Sequence, residues 1–67
     1  MATATRFNPE TVRLMRMALE DAWSRLEPEA QATVLKTTLA VRILESVSKG
    51  ERDRQRLRDA ALTGLAA

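Results

Sequence analysis

The sequence predicts an all-α fold: a small helical domain, laid out as an antiparallel helical hairpin plus a short third helix and completed by dimerisation. Apolar residues recur at spacings of three and four, the period of a helix with one buried face. No segment alternates apolar and polar residues between turn signals, as a half-buried strand would. Helix start and stop residues also fall in a consistent order: Asn8-Pro9, Pro28, Gly50 and Asp53.

Residues 1–6, MATATR, are small and polar and read as a flexible N-terminus without the apolar run of a secretory leader. Residues 7–67 then read as a single helical domain. The first helix opens on FNPET. Asn8 is a good N-cap, Pro9 fits the first helical position, and Glu10 suits the positive end of the helix dipole. Phe7 and Val12 occupy the two positions of a hydrophobic staple. Val12, Met15, Leu19, Ala22, Trp23 and Leu26 form one apolar stripe. Leu14 and Met17 lie off it and widen the apolar surface beyond what one partner helix would cover. Arg16 and Glu20 are an i,i+4 pair, worth about 0.2–0.5 kcal/mol. Pro28 ends this helix by disfavouring the helical conformation at Glu27.

The next segment admits two readings. Leu39, Ala40, Ile43, Leu44 and Val47 form an apolar arc, with Thr38, Arg42, Glu45 and Lys49 opposite. Val34 and Leu35 fall partly outside that arc. Either EPEAQA is a separate short turn and the main helix starts at Thr37 or Thr38, or one helix runs from Pro28 to Lys49 and presents Val34 and Leu35 to another chain. The break is the preferred reading. Gly50 is the natural residue to stop the helix. Asp53 is a capable N-cap for a third helix, along which Leu57, Ala60, Ala61 and Leu65 follow at helical spacing, with Gly64 weakening the last turn.

A chain of 67 residues is marginal alone and usually needs a disulfide, a metal or a partner subunit. It has no Cys and no His, which rules out a disulfide and a Cys/His zinc site. Self-association is therefore the expected route to a larger core. Leu14, Met15, Met17, Trp23, Val34, Leu35 and Leu44 are the candidate protein interface, most simply in a closed two-fold homodimer. An unidentified protein partner is the other possible occupant of these residues.

The same two absences argue against catalysis, because the commonest general base and the strongest nucleophile are missing. No glycine-rich phosphate loop or EF-hand spacing appears. The chain is expected to be no enzyme, with no catalytic residue, no cofactor and no metal. No apolar run is long enough to span a bilayer. The polar face of the Lys36–Lys49 region is also too weakly basic for an interfacial helix, so no membrane role is expected and the location is read as cytoplasmic.

Charge is densest in KGERDRQRLRD, residues 49–59. Arg52, Arg54, Arg56 and Arg58 are possible nucleic-acid contacts, which makes a small nucleic-acid-binding regulator the alternative function. Against it, Glu51, Asp53 and Asp59 interleave with the arginines and offset the gain from neutralising phosphates. A helix-turn-helix register on Gly50 fits Ser46 in a small-residue slot. It puts Glu45, Lys49, Glu51, Arg56 and Asp59 in positions that should be apolar. A solvated helix cap explains the stretch more simply.

The run LAVRILESVSKGERDRQRLRDAAL, residues 39–62, resembles a group of small, uncharacterised bacterial helical proteins. These carry a RIL…GERD…RLR…AL pattern behind an upstream NPET…ALEDAW helix, so the likeness spans about residues 7–63. The group has no established activity, cofactor or catalytic residue, and the resemblance implies none here. It does imply that the Gly50–Asp53 corner belongs to the shared design. VLKTT departs from the group, whose middle segment is more polar.

Overall fold

The computed structural model describes residues 7–63, which are helical throughout apart from their connections. The chain runs α1 (Pro9–Ser24), α2 (Pro28–Thr33), α3 (Lys36–Ser48) and α4 (Arg54–Leu62). The expected flexible terminus 1–6 and the expected roles of Gly64 and Leu65 lie outside the described residues. The all-α class is as predicted, with one more helix because the broken reading of the middle segment holds.

The starts and stops follow from local chemistry. Asn8 is extended, and its side chain accepts the Thr11 N–H at 2.7 Å, satisfying one of the free donors of α1. At the far end the side-chain amide of Gln31 donates to the Trp23 carbonyl at 2.8 Å, which ties α2 to the C-terminus of α1. Val34 and Leu35 are both extended and separate α2 from α3. The N-cap of α3 is Leu35, which has no side-chain bond to give, so the helix begins just ahead of the Thr37 and Thr38 caps expected from sequence.

The α3–α4 corner is the most completely specified connection. Gly50 takes φ +106, a conformation that side chains disfavour. The Gly50 N–H then reaches the Val47 carbonyl at 2.9 Å and the Glu51 N–H reaches Ser46 at 3.0 Å, the double bond of a Schellman stop. Glu51 Oε2 accepts the N–H groups of Arg52 and Asp53, each at 3.1 Å. Asp53 accepts the Arg56 N–H and caps α4.

Three helices pack on one another: α1 on α4, α4 on α3 and α3 on α1. The Lys36 ammonium bonds Glu20 and lies over the Trp23 ring, while Ile43 shares a groove with Val12 and Met15, so α1 and α3 are antiparallel. Arg58 pairs with Asp21, and Leu62 meets the Arg25–Leu26 end of α1, so α4 runs parallel to α1. The hairpin expected from sequence is thus present, with the short last helix laid along one side of it.

The core is lean. Its fully buried large side chains are Leu39, Ile43, Val47 and Leu57, each worth about 1.5–3 kcal/mol of burial. Ala18, Ala22 and Ala61 fill the rest, and Phe7, Leu14, Met15, Leu19, Trp23, Leu26, Val34 and Leu62 pack partly buried around it. The buried face of α1 therefore centres on Thr11, Ala18 and Ala22, not on the stripe of larger residues. The reason is geometric. Asp21 points to α4 and Trp23 to α3, so α1 has two partner helices. Small residues sit where both come close, with Leu14 on the flank toward α4 and Met15 and Leu19 on the flank toward α3.

Candidate interaction surface

With α4 covering one side of the α1/α3 hairpin, the other side is left open among the described residues. A shallow groove of about 180 Å³ runs between the two helices there, lined by Val12, Met15, Arg16, Leu19, Ala40 and Ile43. Apart from Arg16 the lining is apolar. Leu44, one turn beyond Ala40, continues the α3 wall. Val12 and Leu44 keep 39% and 42% of their surface in contact with solvent although they border an apolar groove. At the Trp23 end the groove is bridged by the Lys36 ammonium, 2.7 Å from Glu20 Oε2 and 5.6 Å from the Trp23 ring centre.

The residues expected at an interface divide into three groups. Met15 lines the open groove, Leu44 continues its wall, and Trp23 stands at its end, although Met15 and Trp23 also pack partly buried against the core. Leu14 and Val34 pack against the protomer's own core; Leu14 does so because α4 is the second partner its off-stripe position called for. Met17 and Leu35 are exposed away from the groove. Sequence reasoning missed Val12, Leu19 and Ala40 as neighbours on this surface, having placed them in a core stripe or arc. The available signal was the spacing Val12–Arg16–Leu19–Trp23, one row of the helix with a charge inside it.

Two of the wider openings have mixed walls and lie between elements. One, about 590 Å³, lies between α3 and α4 and includes Thr38, Arg42, Glu45 and Lys49. The other, about 430 Å³, lies under α2 between Leu26, Val34 and Leu62. They open beside Thr63 and Leu62, the last described residues of the chain.

The four arginines expected as nucleic-acid contacts are not presented together. Arg52 turns back to donate to the Val47 and Glu51 carbonyls, both at 2.9 Å, and so finishes the C-terminus of α3. Arg56 stands 3.9 Å from Glu51. Arg58 is held between Asp59 at 2.9 Å and Asp21 at 3.6 Å. The hydrogen bond to Asp59 is the main cause that raises its pKa; desolvation opposes it, and the charges of Asp59 and Asp21 add to the rise. Arg54 has no ion pair among the described residues. Arg42, expected on the solvent side of its helix, is half-buried and bonds the Thr63 carbonyl at the end of α4. The pairing on the face of α1 also differs from the sequence reading: Glu20 bonds Lys36 in place of Arg16.

Among the described residues no group of three or more acidic side chains is arranged to hold a metal ion. No buried side-chain nitrogen or oxygen among them lacks a hydrogen-bond partner. No described helix is long and apolar enough to cross a membrane. Comparison with protein-family models, with curated proteins and with solved structures finds no match to this chain.

Proposed function

We propose that this chain is a small, non-enzymatic interaction protein of the cytoplasm that works as a homodimer. The observation that carries the reading is the open side of the α1/α3 hairpin, where an apolar groove remains uncovered among the described residues, whose core holds four fully buried large side chains. A chain this short with no Cys and no His has few other means of gaining buried area. Two copies closing on the same face would cover Val12, Met15, Leu19 and Leu44 at once, as an isologous contact does. The non-enzymatic part rests on the lack of His and Cys and on carboxylates that sit in solvated ion pairs. Binding a duplex through Arg52 and Arg58 would require both to leave the groups they now satisfy.

Light scattering across a range of concentrations tests the reading. The expected mass is twice the 7.5 kDa of the chain, falling on dilution as mass action requires. Leu44→Glu should shift the mass toward that of one chain without loss of helical signal. A wild-type mass of one chain at every concentration would reject the homodimer.

A further inference from the structure

We propose that the second copy lays its α1 antiparallel across the groove, so that Arg16 of each copy pairs with Glu20 of the other. This rests on the homodimer reading and adds its register. Arg16 and Glu20 stand one turn apart with opposite charge. A two-fold axis perpendicular to α1, passing midway between them, brings Arg16 opposite Glu20 twice over. A parallel, in-register pairing would instead set Arg16 against Arg16 and Glu20 against Glu20. Charge complementarity therefore selects the antiparallel arrangement and penalises the parallel one.

The geometry of the groove fits this register. Arg16 lines it and has no ion pair among the described residues. Glu20 spends only Oε2 on Lys36, at 2.7 Å, and an ionised carboxylate has acceptor sites left on Oε1. The same bond reaches from α1 to α3 and holds the Glu20 carboxylate at the end of the groove, limiting the side-chain freedom a new pair must give up. The same axis sets the Val12 level of one α1 opposite the Trp23 level of the other. Apolar contacts then flank a central pair of charge pairs, an arrangement in which a shifted register strands Arg16 against apolar surface.

The test compares dimer dissociation constants of the full chain by sedimentation equilibrium. Arg16→Glu and Glu20→Arg should each raise the constant at least tenfold, because each converts both pairs to like charges. The double variant carrying both changes should return to within about threefold of wild type. So should an equimolar mixture of the two single variants, whose heterodimer regains opposite charges at both pairs. This rescue separates pairing from the loss of the Glu20–Lys36 bond, which rescue by a second chain cannot restore. Arg54→Glu, an equal change in net charge on α4, should leave the constant unchanged, and circular dichroism checks that each variant is helical. A wild-type dimer whose single variants dimerise as tightly as the parent overturns the register alone. A dimer weakened by both single variants but not rescued by mixing does the same. A wild-type chain that stays monomeric overturns the homodimer itself.

Discussion

The two connections that flank α3 are built on different principles. After α3, the corner Gly50–Asp53 is specified residue by residue: a positive-φ glycine, a glutamate taking two backbone N–H groups, an arginine returning to the Val47 carbonyl, and an aspartate capping α4. Before α3, the passage from Ser24 to Lys36 has local bonds at its helix ends, as from Ser24 to Asp21 and from Thr33 to Ala30, but no side chain that caps a helix start. Glu27 and Leu35 occupy N-cap positions without a capping bond. What holds the passage is contact at a distance in sequence: Gln31 on the Trp23 carbonyl, Lys36 on Glu20, and Val34 against the core. A connection built from local bonds is written in its own residues. One built from tertiary contacts is stable only once its partners are in place.

The largest break of this contrast should come from Gly50→Val. No atom of the described residues lies within 4 Å of the position a Cβ would take, so crowding is not the issue. The cost is conformational, about 1–3 kcal/mol, and should appear as a lower urea midpoint with an unchanged slope. Asp53→Ala removes one capping bond and should cost about 1 kcal/mol, read in the same titration. A smaller effect of opposite sign should come from giving the weak side what it lacks. Leu35→Asp supplies an acceptor to the free N–H groups of α3 at a side chain that is 68% exposed, and should raise stability by about 0.5–1 kcal/mol. If Leu35→Asp destabilises instead, Leu35 contributes packing that outweighs a cap, and the two connections are more alike than their bonds indicate.

Much of the fold was legible in sequence because its signals are short-range. Asn8, Pro9, Gly50 and Asp53 act within four residues of themselves, and all act as read. The break after α2 was also legible, since Val34 and Leu35 are out of phase with Leu39, Ile43 and Val47. The candidate surface was less so. Leu14 carries the same apolar signal whether it meets α4 of its own chain or another subunit, and periodicity does not name the partner. Val12 and Leu19 looked like core because the stripe was fitted to a single opposing helix. With α3 and α4 both resting on α1, the buried centre moved to Ala18 and the larger residues moved to the rims. Salt bridges across helices, such as Lys36 to Glu20 and Arg58 to Asp21, were invisible for the same reason.

The sequence by itself determined that this protein is helical, where most of its helices begin and end, and that neither a disulfide nor a histidine site supports it. These follow from dihedral preference, capping chemistry and composition, which need no knowledge of what lies across the core. Only the tertiary structure decided which side of the hairpin α4 covers. That choice partly buries Leu14, engages Arg58 with Asp21, and leaves the Val12–Leu44 side open among the described residues, because packing a third helix on two others satisfies one face and must leave the opposite one to solvent or to a partner.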